Sequence, residues 1–182
     1  MKTQNAKHKM QRFSLALCAL SFGLCIFLFS LNSCKVYSFS GANIPADIHS
    51  FSVELFQNRA NNGPSSLPQT FTDKLKLKFQ TEANLKQAAY DGDLQFKGSI
   101  TGYSITSDAA VANTTSALLR LTITVQVDFT NTKNEKDKWS ESFSRYVQVP
   151  SSEDISSVED RLINEINTLL VDDIFQKALV KW

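Results

Sequence analysis

Apolar and polar residues alternate without interruption from Leu119 to Phe129. Leu119, Leu121, Ile123, Val125, Val127 and Phe129 fall on one side, and Arg120, Thr122, Thr124, Gln126 and Asp128 on the other. A period of two is that of a strand with one buried face, and the β-branched threonines add strand preference. Shorter alternations surround it. Phe51, Val53 and Leu55 alternate with Ser50, Ser52 and Glu54, which predicts a first strand beginning near Ile48. Leu94, Phe96, Gly98, Ile100 and Gly102 share one face of a further strand that continues through Tyr103 and Ile105 to Thr106. Glycine inside a strand marks a bulge or the close approach of another backbone. From Trp139 to Val149, Trp139, Phe143 and Val147 lie opposite Ser140, Ser142 and Ser144, the pattern of a last strand.

Two stretches change to a helical period. Leu67, Phe71, Leu75 and Phe79 recur every four residues, with Ser66 and Gln69 in capping-box spacing and Pro68 tolerated in the first turn. Asp73, Lys74, Lys76, Lys78 and Gln80 would form the solvated face of that helix. Near the C-terminus, Ser156 and Glu159 repeat the capping spacing, and Val158, Leu162, Ile166, Leu169, Leu170 and Ile174 make an apolar stripe on a helix running toward Trp182. Gln57 to Ser66 has loop composition, Asp91-Gly92-Asp93 is a turn that lacks the further oxygen ligands of a calcium loop, 107–116 is a hairpin loop, and 131–138 a charged turn. The order strand, helix, three strands, helix predicts an α+β two-layer sandwich, a four-stranded, mainly antiparallel sheet covered on one face by both helices. The other face, with Arg120, threonines and serines, is left for solvent or a partner.

Ahead of this domain the pattern is different. Lys2, Lys7, Lys9 and Arg12 precede an uncharged run from Phe13 to Leu31, and the run ends in Leu31-Asn32-Ser33-Cys34. A basic head, an apolar middle and a small-residue exit form a secretory leader. The exit resembles the lipobox of bacterial lipoprotein precursors, a resemblance that implies acylation of Cys34 as the new N-terminus. The uncharged run is also long enough for a membrane span, and the box at its end favours the leader. The expected organisation is a signal peptide over 1–33, a lipidated tether over 34–47 and one domain over 48–182. An acylated Cys34 would hold the chain on a membrane, since each buried methylene adds about 0.8 kcal/mol.

Cleavage would alter the charge. Losing Lys2, Lys7, Lys9 and Arg12 from 19 basic residues leaves 15 against 18 acidic ones, a formal net charge of −3, without the basic excess of a nucleic-acid binder. Cys18, Cys25 and His8 would leave with the leader, so that His49 is the one histidine left and a Cys/His zinc site cannot be assembled. Asp172-Asp173 and Glu159-Asp160 are adjacent on a helix and do not face each other. We therefore expect no catalytic residues, no metal and no cofactor.

A family resemblance covers the mature chain. Cys34 followed by Lys35-Val36-Tyr37-Ser38-Phe39-Ser40-Gly41, then Gln69-Thr70-Phe71-Thr72, Asp91-Gly92-Asp93-Leu94-Gln95-Phe96-Lys97-Gly98, Ile100-Thr101-Gly102-Tyr103, Arg120-Leu121-Thr122-Ile123 and Ser142-Phe143-Ser144-Arg145-Tyr146 resemble the LptE family of lipopolysaccharide-assembly lipoproteins in its Bacteroidetes form. The resemblance implies a non-enzymatic subunit that plugs the β-barrel LptD from the periplasmic side, helps it assemble and assists passage of lipopolysaccharide to the outer leaflet. Lys35-Val36, with no acidic residue, resembles the sorting signal of outer-membrane lipoproteins, a resemblance that implies anchoring at the inner face of the outer membrane. A polar barrel lumen suits Arg120, Thr122, Thr124 and Gln126 as contacts. Arg120, Lys133, Lys136 and Lys138 are candidates for lipid A phosphates, which need Arg or Lys donors. The competing expectation is a free-standing lipid- or glycan-binding lipoprotein, which would need an apolar cavity.

Overall fold

The computed structural model describes residues 44–108 and 117–179, all within the unit that begins at Ser40. The expected leader, the lipid site Cys34, most of the hairpin loop and the final approach to Trp182 lie outside the described residues. Among the described residues, six strands and two helices follow in the order β1 (Ser50–Val53), β2 (Gln57–Asn58), α1 (Leu67–Thr81), β3 (Lys86–Gln87), β4 (Leu94–Asp108), β5 (Leu118–Asn131), β6 (Lys138–Pro150) and α2 (Ile155–Leu179).

The sheet runs β3-β1-β4-β5-β6, with β2 also pairing β4. β4, β5 and β6 form the antiparallel meander that their short connections predict. β1 and β2 run parallel to β4, opposite Leu94–Phe96 and Ser99–Ile100 respectively, so together they behave as one edge strand with a break in it. The expected four-stranded, mainly antiparallel sheet is therefore six-stranded and mixed. The two strands added, β2 and β3, have two residues each and no alternation to reveal them.

The break between β1 and β2 corrects a second expectation. Leu55 is exposed, and Phe56 turns inward against Phe71 with ring centroids 4.9 Å apart. The buried Thr72 Oγ1 accepts the Phe56 N–H at 3.1 Å, so the helix satisfies a backbone donor that the interrupted strand leaves free. A bulge makes a similar change in β4. Register jumps between Ile100, opposite Val125, and Gly102, opposite Thr124. The extra residue, Thr101, moves Gly102 off the core face and brings Tyr103 onto it, opposite Ile123. Gly98 supplies the close approach its position suggests: a Cβ there would lie 2.0 Å from the Gln126 carbonyl oxygen and 2.8 Å from the Phe56 ring.

Both helices cover the face carried by Leu121, Ile123, Val125, Val127 and Phe129, all fully buried. Leu67, Phe71, Leu75 and Phe79 of α1 are buried as their spacing predicts. Phe79 sits at the centre, 4.6 Å from Phe96, 5.1 Å from Phe175 and 5.6 Å from Phe51. In α2, Leu162, Ile166, Leu170 and Ile174 are buried, whereas Leu169 is exposed.

The helix starts differ from the capping boxes read from sequence. Ser66 makes no side-chain cap. For α2 the cap is Asp154, whose Oδ1 accepts the Ser156 N–H at 3.1 Å, and Glu159 instead accepts the Tyr103 hydroxyl. The lysines of α1 are not all a solvated face. Lys74 Nζ donates to Asn164 and Thr168 of α2, and Lys78 pairs with Asp172 and Glu82 at 2.6 Å and lies 5.2 Å from the Phe175 ring. Burial pulls the Lys78 ammonium down, but the hydrogen bonds to Asp172 and Glu82 outweigh it and raise its pKa.

Candidate functional site: the outer face of the meander

The face of β4, β5 and β6 turned away from the helices is built from cross-strand rows. Thr106, Arg120 and Gln148 form one row; Ser104, Thr122 and Tyr146 the next; Gly102, Thr124 and Ser144 the third; Ser99, Gln126 and Ser142 the fourth; Lys97, Asp128 and Ser140 the fifth. Strand geometry alternates sides, so the residues that put Leu121 to Phe129 into the core also put Arg120, Thr122, Thr124 and Gln126 on this surface. The structure thus brings those four candidates into one line along β5.

The surface is knitted by its own side chains. Thr124 and Ser144 hydroxyls are 3.0 Å apart, Gln126 Nε2 donates to Ser140 Oγ at 2.9 Å, and Ser140 Oγ donates to Asp128. The Arg120 guanidinium lies 4.3 Å from the Tyr146 ring centroid. Tyr146, half exposed, is a site residue that sequence reasoning does not single out; its signal is the even position it shares with the outward serines of β6. The ladder of short polar side chains makes a flat, hydrophilic wall whose hydrogen-bonding groups are partly engaged and partly open to a partner.

The basic candidates are divided. Arg120 stands near the start of β5; Lys138 lies opposite Thr130 in a sixth outer row with Gln95, roughly 33 Å away at about 3.3 Å per residue, and Lys133 and Lys136 lie in the turn beyond it. They do not converge on one phosphate. Lys133 Nζ is held 3.0 Å from Asp93 Oδ1, whereas Lys136 and Lys138 are exposed.

Asp93 is the polar hub that positions this end of the sheet. Its Oδ2 accepts the His49 N–H, the Ser50 N–H and the Ser50 hydroxyl, each at 2.9 Å, and its carbonyl accepts the Thr132 N–H at 2.8 Å. One residue therefore joins β1, the start of β4 and the β5–β6 turn. The His49 backbone donor, Lys133 and Ser50 hold the carboxyl well below the usual aspartate range. Gly92 makes the approach possible, since a Cβ there would lie 2.4 Å from the Phe51 carbonyl carbon. Asp91-Gly92-Asp93 is thus the turn expected, and Asp93 serves the fold. His49 itself is exposed.

At the opposite end, Tyr103 donates its hydroxyl to Glu159, and burial raises the phenol's pKa further above its ordinary value. Among the described residues no group of three or more His, Cys, Asp or Glu is arranged to hold a metal ion, and no helix is long and apolar enough to cross a membrane. A shallow groove of about 390 Å³ opens at the other edge of the sheet between Ile44, Ile48, His49, Ala83, Leu85 and Lys86.

The domain is a two-layer α+β fold that buries one sheet face under helices and leaves the other as a broad polar surface. Comparison with known proteins makes the assignment specific. A sequence model of the LptE family, described as lipopolysaccharide-assembly, matches residues 48–178, and the chain belongs to that family. Comparison with curated proteins gives no match. Among solved structures, the chain is similar to a putative neuraminyllactose-binding hemagglutinin homolog from Helicobacter pylori, at 15% identity and a TM-score of 0.51, covering 78% of this chain and 88% of that one. It is also similar to a protein of Xanthomonas campestris, at 13% identity and a TM-score of 0.50, covering 75% and 86%. Rare lipoprotein B from Shewanella oneidensis matches at 13% identity and a TM-score of 0.44, covering 70% and 92%. At these identities the first two likenesses speak for the fold alone.

Proposed function

We propose that this chain is a non-enzymatic, lipid-anchored subunit of the outer-membrane lipopolysaccharide translocon, held through an acylated Cys34 on the periplasmic side. Its outer sheet face enters the lumen of the LptD β-barrel, supports barrel assembly and assists insertion of lipopolysaccharide into the outer leaflet. The observation that supports this reading is the unbroken polar wall of Thr122, Thr124, Gln126, Ser140, Ser142 and Ser144, part of six rows free of aliphatic side chains that run from Arg120 to Thr130. Barrel lumens are polar, so a plug gains by offering hydrogen-bonding groups there. Arg120 at one end, with Lys136 and Lys138 at the other, would meet phosphate groups or acidic lumen residues separately, and Lys133 would do so only by leaving Asp93.

A free-standing lipid or glycan carrier would draw on the groove beside Ile44. That groove is shallow and more open than enclosed, unlike the sites that bury most of a ligand's surface. The test is recovery of the chain from solubilised outer membranes. We expect a large β-barrel protein in a one-to-one complex, and at least tenfold less of it with Thr124→Trp, whose bulk stands out from the middle of the wall. Equal recovery with that variant, or no large partner with the parent chain, refutes the assignment of this face. Depleting the chain should leave lipopolysaccharide short of the outer leaflet.

A further inference from the structure

The strand β6 closes one side of the sheet, and among the described residues it pairs with β5 alone. About every second residue of this edge strand turns its backbone N–H and C=O away from β5, toward a side where no strand pairs with it among the described residues, a liability that proteins usually blunt with charge. Two charges stand on the helix-facing side of this strand, Glu141 and Arg145. They reach across the rim of the sheet to α2, Glu141 to Lys177 at 2.9 Å and Arg145 to Asp173 at 2.6 Å, and both stay about half exposed. Between and beside them, Trp139, Phe143 and Val147 are only partly covered. Leu169, exposed on α2, lies four residues before Asp173 and eight before Lys177, on the same helical stripe. The rim therefore carries apolar surface interleaved with one negative and one positive charge.

We propose that this rim pairs with the same rim of a second copy of the chain, β6 running antiparallel to β6 about a two-fold axis through Phe143. An isologous contact must oppose residue 143 + k to residue 143 − k. Glu141 then faces Arg145 of the second copy, twice over, Trp139 faces Val147, and Ser142 faces Ser144. Centring the axis on Glu141 or on Arg145 instead would set like charges directly opposite each other, which is unfavourable. The sequence of β6 thus admits one charge-matched symmetric register. In it the two α2 helices lie side by side over the extended sheet, and each set of Asp173, Arg145, Glu141 and Lys177 becomes an alternating chain of charges across the axis. A single strand pairing covers little area, below the roughly 1,200 Å² of the smallest stable interfaces, so association is concentration-dependent and reversible. The contact is made through the backbone edge and the helix-facing side chains of β6, whose outward serines border the polar wall, and it does not depend on the role proposed for that wall.

The experiment is sedimentation equilibrium of the purified full-length chain in detergent micelles, with no barrel protein present. The parent chain should self-associate, and Glu141→Arg alone and Arg145→Glu alone should each weaken it by about tenfold or more, because each creates two like-charge pairs. Mixing the two variants should restore association, since a chain with arginine at both positions then meets a chain with glutamate at both. The double variant Glu141→Arg/Arg145→Glu should also pair with itself. Thermal unfolding of each variant checks the fold, and recovery in the mixture separates a lost contact from a lost structure. A parent chain that stays monomeric at about 100 micromolar, single variants that associate like the parent, or a mixture that stays monomeric overturns the proposal. None of these outcomes bears on recovery of a barrel partner, which tests the polar wall separately.

Discussion

Replacing Asp93 by asparagine isolates the hub beneath the polar wall. Its carboxylate oxygen Oδ2 accepts three hydrogen bonds at 2.9 Å, two of them from backbone N–H groups of His49 and Ser50. The side chain is only 15% exposed. Asparagine keeps one oxygen to accept these bonds but removes the charge, and its amide donors cannot accept from Lys133. A bond to a charged acceptor is worth roughly 1 kcal/mol more than a neutral one. Three such losses, less their overlap, give about 2–3 kcal/mol, with the exposed Lys133 contact adding at most about 1 kcal/mol.

The charge also fixes the pH dependence. A carboxyl held below its unfolded value contributes stability that is complete above the ordinary aspartate pKa of about 3.9 and drains away as pH falls through the folded value. Urea unfolding followed by circular dichroism should therefore show Asp93→Asn less stable by about 2–3 kcal/mol at pH 7, and the gap should narrow by about 1 kcal/mol at pH 3. A gap below about 0.5 kcal/mol at pH 7, or one that is unchanged or wider at pH 3, would refute the assignment of Asp93 as the hub.

Three further predictions address the packing. Gly92→Ala should cost about 3 kcal/mol, because its Cβ would meet the Phe51 backbone at 2.4 Å and rigid backbone must move; a melting temperature within a degree or two of the parent would contradict the close approach. Asn167→Leu should raise stability by about 1 kcal/mol, since Asn167 is buried in α2 with its Oδ1 unpartnered, and a fall in the urea midpoint would show that the polar group is satisfied in solution. Tyr103→Phe should cost about 1 kcal/mol by removing the hydroxyl bond to Glu159, and ultraviolet titration of the parent chain should find this phenol still protonated where exposed tyrosines have ionised.

The elements that can be read from sequence are those whose side chains repeat a period long enough to count. β5 shows six buried or half-buried positions in strict alternation, and α1 four in strict spacing; both stand where the pattern puts them. The wall residues Arg120, Thr122, Thr124 and Gln126 come with β5, because a strand that fixes its buried set fixes the opposite set too. What escapes has no period. β2 and β3 are two-residue pairings made by backbone against an existing strand. The bulge at Thr101 inverts every later residue of β4 from a single local insertion, and nothing in Ile100-Thr101-Gly102 states which residue is the extra one. Leu55 and Phe56 are equally apolar, and only the donor from Phe56 to Thr72 decides which turns in. The capping error has the same origin, because Asp154 and Ser156 are both good caps and tertiary placement chooses between them. The lysine candidates are adjacent in sequence to a strand end, and only the fold shows how far that end lies from Arg120.

The parallel pairing of β1 with β4 also has a bearing on how the chain matures. Both partners of β1, the short β3 and the long β4, come after it in the sequence, with a helix between. As the polypeptide emerges N-terminus first, its opening strand has only the two-residue β3 to join until Leu94 has followed. The meander, by contrast, closes between neighbours, and local closure is entropically cheaper and faster. Assembly is thus led from the C-terminal half, and the segment nearest the proposed membrane anchor is the last to be locked in.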